Sequence, residues 1–289
     1  MSGGWLEPFI EFPFMRRALV ATLALSLGCA PIGCLLVLRR MSLVGDAMAH
    51  AVLPGAAAGF LLAGLSLPAM SLGGFVAALA VALAAGFVTR ATPQREDASF
   101  AAFYLIALAL GVLLVSLRGS QVDLMHMLFG SVLAVDDAAL LQIAVVASVT
   151  LWALALAYRP LVLESFDPGF LRSVGGPGAR AHMLLLVLLV ANLVSAFQAL
   201  GTLMAVGLMM LPAAAARFWV AGLPAMVALA VALGAVSGAG GLLLSYHAEL
   251  PSGPCIVLVC GAAYVASVLF GAREGIVTRH LRSLSHLAR

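Results

Sequence analysis

The stretch Gly222-Leu-Pro-Ala-Met-Val-Ala-Leu-Ala-Val-Ala-Leu-Gly-Ala-Val-Ser-Gly-Ala-Gly-Gly-Leu-Leu-Leu-Ser-Tyr246 contains no Asp, Glu, Lys, Arg or His. A helix crossing the hydrocarbon of a bilayer needs about 20 apolar residues, so this stretch reads as a membrane span. Eight further segments read the same way: 14–38, 42–64, 67–89, 98–117, 138–158, 181–199, 200–219 and 254–271. The composition agrees. Of 289 residues, 64% are hydrophobic and only 9% charged, against about 25% charged in a soluble domain. The polar rim is too thin for a soluble enzyme, and the chain is too apolar to be disordered or fibrous. The expected fold is all-α: a polytopic membrane protein of about eight to nine spans, forming a single transmembrane domain over 1–289.

All 15 basic residues are Arg; there is no Lys. A Walker A loop needs a Lys that reaches the β/γ-phosphates, so the chain has no P-loop ATPase site of its own. It cannot form a lysine Schiff base either, which excludes a retinal pump. The net charge of +3 is too small and dispersed for nucleic-acid binding. Cys29, Cys34, Cys255 and Cys260 sit inside apolar runs and read as small buried hydrophobes rather than a disulfide framework. Met1–Phe14 carries Glu7 and Glu11 and no leading basic region, unlike a cleaved signal peptide.

Arginines orient the spans. With nine spans, Arg39/Arg40, Arg90/Arg95, Arg159/Arg172/Arg180, Arg217 and the basic tail (about 272–289) fall on alternate joints. The stretch 159–180 and the tail are then cytoplasmic, and 118–137 is external. Arg16/Arg17 are the misfit, which an interfacial N-terminal segment over 5–17 or a span count off by one would explain. Gly234, Gly238, Gly240 and Gly241 read as a small-residue packing face.

Two polar sites interrupt the apolar runs. In Gly45-Asp46-Ala-Met-Ala-His50-Ala-Val-Leu-Pro54-Gly55, Asp46 and His50 stand at i,i+4 on one helix face, where carboxylate and imidazole can hold one divalent cation. A buried hydrogen-bonded Asp–His pair is the bland alternative. Pro54 removes the helical partner of the His50 carbonyl. Tyr246-His247-Ala-Glu249-Leu-Pro251 repeats the His-to-Pro spacing, and paired Pro/Gly-interrupted segments point to a transporter's binding site; His247 and Glu249 could equally be a water-facing helix end. Pro54, Gly55, Pro212 and Pro251 are the expected helix breaks. His126 with Asp123 reads as an exposed loop pair, His182 as a segment edge near Arg180, and His280 and His286 as part of a tail resting on anionic lipid. Met209 and Met210 read as packing. There is no Ser-His-Asp, Cys-His or His-Glu-x-x-His arrangement, so an intramembrane hydrolase has no support.

In Leu163-Glu164-Ser165-Phe166-Asp167-Pro168-Gly169-Phe170-Leu171-Arg172-Ser173-Val174-Gly175, Asp167 reads as an N-cap with Pro168 at the first helical position, and Gly175/Gly176 as the stop. Phe166 and Phe170 on such an exposed helix call for a partner protein; a plain linker helix is the alternative.

Leu38–Gly55, Ser165–Pro168 with Gly175, Gly207-Leu-Met-Met-Leu-Pro-Ala-Ala-Ala-Ala-Arg217 and Leu250-Pro-Ser-Gly-Pro-Cys-Ile-Val-Leu-Val259 resemble, in order, the motifs of bacterial zinc/manganese ABC transporter permeases. The resemblance implies a homodimeric, multi-pass permease of the bacterial inner membrane. Two cytoplasmic ATP-binding subunits would drive it, and a periplasmic or surface metal-binding protein would feed it. It implies no permanently bound cofactor and no enzymatic activity of the chain itself. Zn²⁺, Mn²⁺ or iron would be cargo. The family's pathway acid and histidine fall on Asp46 and His50, its second ligand pair on His247 and Glu249, and its coupling helix on 159–180, with Phe166, Asp167, Pro168, Phe170 and Gly175. Alternating spans would leave Asp46 and His247 at opposite ends, so their meeting requires a broken or re-entrant helix. The competing reading is a proton-coupled secondary transporter of cations or small solutes, with Asp46 and His50 as a proton relay.

Overall fold

The computed structural model describes residues 7–64, 66–117 and 135–279. Among these, every regular element is helical: α1 (Glu7–Glu11), α2 (Pro13–Leu38), α3 (Ser42–Ala63), α4 (Leu67–Ala91), α5 (Glu96–Leu117), α6 (Asp137–Leu156), α7 (Tyr158–Phe166), α8 (Pro168–Ser173), α9 (Gly178–Leu200), α10 (Thr202–Arg217), α11 (Leu223–Ala248) and α12 (Ser252–Phe270). Asp123, His126, His280 and His286 lie outside the described residues.

Eight of these helices are long and apolar enough to cross a membrane. The ninth expected span is α10, whose 16 residues reach only about 24 Å at 1.5 Å per residue. The apolar run hides this shortness because Leu200 passes to Thr202 through one residue. Gly201 sits at φ 80, a conformation glycine adopts freely, and the helix stops there.

Contacts at the helix ends sort the bundle into two sides. Arg17 Nε lies 3.2 Å from Asp137 Oδ1, and Phe12 meets the Tyr246 ring at 5.7 Å. The starts of α2 and α6 and the end of α11 therefore share one side, called the Arg17 end. At its other terminus α2 presents Arg39 to Glu164 and His182, so α7 and the start of α9 share the Arg39 end. Gly271, after α12, packs on Phe218, after α10. Arg16/Arg17 lie inside α2, which begins at Pro13, not in an interfacial segment over 5–17; they remain at the end opposite Arg39, and α1 is a separate five-residue helix before α2.

The inner helices are α2 and α9, with 72% of each span buried; α6 and α5, at 17% and 22%, form the outer wall. Small residues let backbones touch. Gly234 faces Ser26, Gly238 faces Thr22, and a Cβ at Gly241 would overlap Ile256. Between α3 and α4 the contact is backbone to backbone: a Cβ at Gly55 would overlap the Gly73 carbonyl, and one at Gly59 would overlap Ala69.

Pro54, Gly55 and Pro212 do not break their helices; α3 and α10 run through them. Neighbours fill the space instead. Gly111 of α5 sits where a Cβ would lie 2.7 Å from Pro54, so α5 supports the kink-prone turn closely. Pro251 alone falls at a helix end, as the N-cap residue of α12.

Candidate metal pathway and coupling surface

Along α3 the residues Val44, Ala47, Met48, Ala49, Ala51 and Val52 are buried. Leu43, Asp46, His50 and Leu53, at i, i+3, i+7 and i+10, form the one open stripe of this stretch. Within it, His50 Nε2 lies 3.7 Å from Asp46 Oδ1, with 32% and 60% of the two side chains exposed. That separation exceeds a hydrogen bond, so neither group is consumed by the other. Tyr104, from α5, lies over the His50 ring with centroids 6.0 Å apart, and Met210 of α10 lies behind Gly45.

The structure does not bring His247 and Glu249 to this pair. Among the described residues no group of three or more His, Cys, Asp or Glu could hold a metal ion. The reason is helical continuity. Asp46 is in the second turn of α3, close to the Arg39 end. The helix α11 runs unbroken to Ala248, which leaves His247 and Glu249 exposed at the Arg17 end beside Tyr246. Glu249 itself adopts φ 53 and ends the helix.

The segment read as coupling forms two short helices. Asp167 Oδ1 accepts the Phe170 N–H at 2.8 Å, and Pro168 opens α8. At the other end Gly176 N–H donates to Leu171 O and Gly175 N–H to Arg172 O, with Gly175 at φ 68; this is the glycine stop expected for such a turn. Leu171 is buried, while Phe166, Phe170 and Val174 are exposed. These three exposed apolar side chains lie within nine residues of one another, at the end of α7, within α8 and just after it.

Beside this segment is a buried charge chain that sequence reasoning did not find. Arg39 Nη2 lies 3.5 Å from Glu164 Oε1, with both side chains about nine-tenths buried. Arg39 Nη1 lies 2.9 Å from His182 Nδ1, and His182 Nε2 lies 3.3 Å from Glu96 Oε1. The Glu164 carboxylate also overlies Gly178, at the start of α9, where the positive helix end favours a carboxylate.

Residues 11–271 match the model of the ABC 3 transport family. The chain is 33% identical over 279 residues to the manganese transport system membrane protein MntC of Halalkalibacterium halodurans, covering 96% of this chain and 94% of that protein. It is 32% identical over 279 residues to the chelated iron transport system membrane protein YfeD of Yersinia pestis, covering 96% and 92%. The solved structure of PsaBC from Streptococcus pneumoniae in complex with Fab superposes with a TM-score of 0.83 at 30% identity, covering 98% of this chain and 100% of that chain.

With these matches, the all-helical, multi-pass bundle is a membrane permease of the ABC type. The chain belongs to the ABC 3 transport family, which sets aside the proton-coupled secondary transporter.

Proposed function

We propose that this permease moves manganese or a similar first-row divalent ion, zinc or iron included, with Asp46 and His50 as its pathway ligands. The observation that carries the reading is the half-open Asp46–His50 pair, flanked on α3 by buried Val44, Ala47, Met48, Ala49, Ala51 and Val52. One chain offers one carboxylate oxygen set and one imidazole; a second copy, related by two-fold symmetry with the α3 stripes facing, offers two more. Four such ligands suit a first-row divalent ion, and two-fold pairing is the commonest assembly of identical chains. Exposure of the pair in a single chain fits a site that assembly completes. His247 and Glu249 stay outside the coordination sphere in this reading.

The segment exposing Phe166, Phe170 and Val174 is the docking surface for a separate ATP-binding subunit, which supplies the hydrolysis that a lysine-free chain cannot perform. The Arg39 end then faces the cytoplasm, in keeping with its arginines. A metal-binding protein delivers cargo at the Arg17 end. Reconstitution of the chain with its ATP-binding subunit in vesicles, scored by ATP-dependent uptake of radioactive manganese, tests the reading. Uptake that survives Asp46→Ala and His50→Ala at normal membrane abundance overturns it.

A further inference from the structure

We infer that Arg39 is a positioning residue that ties the docking helix α8 to the cargo helix α3, through Glu164 on one side and His182 on the other. The inference rests on the transport reading above.

The chain of contacts is short. Glu164 stands three residues before Asp167, the cap of α8. Its carboxylate meets Arg39 at 3.5 Å. Arg39 caps α2, and only Arg40 and Met41 separate it from α3. This joint is tight: Met41 is buried, its N–H donates to Leu36 O at 2.9 Å, and its carbonyl accepts from Val44 at 3.2 Å. A shift of Arg39 is therefore delivered to the first turn of α3, with Asp46 in the next.

The protonation pattern follows from the donors. A guanidinium has no acceptor, so His182 Nδ1 must present a lone pair to Arg39. The ring proton then sits on Nε2 and points at Glu96, the first residue of α5. The chain of contacts runs Glu164, Arg39, His182, Glu96, and it joins α7, α2, α9 and α5. Tyr104, which lies over His50, is two turns further along α5. Both routes out of Arg39 end at the acid–histidine pair. Such a buried network holds one geometry because each member depends on the others. A lysine could not replace Arg39, since one ammonium cannot reproduce the planar fork that serves two partners.

The test uses the chain reconstituted with its ATP-binding subunit, reading radioactive manganese imported per ATP hydrolysed, with membrane abundance measured for each variant. Arg39→Gln and Glu164→Gln are each expected to lower that ratio at least about tenfold while hydrolysis stays within about threefold of the parent. The double variant should match the worse single variant, because both break one link. His182→Gln, whose oxygen can accept from Arg39 and whose nitrogen can donate to Glu96, should keep the ratio within about threefold; His182→Leu should not. If the Gln variants fail to accumulate, Arg39→Lys is read instead, and a parental ratio in it overturns the inference. An unchanged ratio in the Gln variants, or losses that multiply in the double variant, also overturns it while leaving the transport reading intact. A parent chain that imports no manganese overturns the transport reading itself.

Discussion

Tyr104 lies over the His50 ring, its centroid 6.0 Å away and its plane tilted by 27°. The contact comes from a different helix, so α5 packs beside the imidazole. Ring pairs of this kind contribute about 1 kcal/mol beyond burial. Tyr104→Leu should therefore weaken manganese capture about fivefold, read as a rise in the half-saturating concentration for uptake with little change in the maximal rate.

Asp46→Asn keeps the shape of the side chain and removes its charge. With Asp46 well exposed and no hydrogen bond to His50, the fold does not depend on that charge. Uptake should fall at least about tenfold while membrane abundance stays normal. A structural Asp–His pair predicts the opposite: tolerance of Asn, and poor accumulation of Asp46→Ala. Quantitative blotting beside the uptake assay separates the two.

Phe166 and Asp167 are adjacent and should fail differently. Phe166 is 63% exposed and, in the proposed docking role, makes its contribution on a partner; aromatic anchors at interfaces commonly contribute 2 kcal/mol or more. Asp167 holds the first turn of α8, and losing a cap costs about 1 kcal/mol. Phe166→Ala should reduce co-purification of the ATP-binding subunit about thirtyfold or more, and Asp167→Ala about fivefold. Pull-down at graded subunit concentrations measures both.

Asn192 ties the two inner helices α2 and α9 to α6 of the outer wall. Its Nδ2 donates to Thr150 Oγ1 at 2.7 Å and to Leu188 O at 2.9 Å, and Gly28 leaves room for its oxygen. Asn192→Ala should cost about 1–2 kcal/mol, and Gly28→Ala more, because the added methyl overlaps the amide. Thermal unfolding in detergent should show both midpoints lowered, in that order.

Arg40 is the neighbour of Arg39 and its opposite in role. It is exposed and sits at φ 58, the left-handed turn position where glycine is preferred and other residues cost about 1 kcal/mol. Arg40→Gly should leave manganese uptake intact and the unfolding midpoint unchanged or slightly raised. Arg40→Val should lower the midpoint, since a β-branched side chain fits that conformation badly.

Much of this was legible without coordinates because it is local. Apolar length marks the spans, the i,i+4 rule places Asp46 beside His50, and Asp167-Pro168 with Gly175 announces a short capped helix. The rest depends on contacts between distant residues. Arg39 and Glu164 are 125 positions apart, and no periodicity links them; His182 looked like a segment edge. Pro54 and Pro212 carry a breaking signal in isolation, but inside a bundle their neighbours close around them. The shortness of α10 was masked because a single glycine separates two apolar runs. The expected meeting of Asp46 with His247 rested on breaks that tertiary packing suppresses.

The backbone contact between Gly55 and Gly73 limits what can move. With no side chain between them, α3 and α4 cannot slide or rock against one another without collision, so the two behave as a single plank. Asp46 and His50 are fixed to that plank. If Asp46 and His50 hold the ion as proposed, any alternation of access must therefore move α3 and α4 together as a paired unit some 20 residues long, and not bend α3 alone.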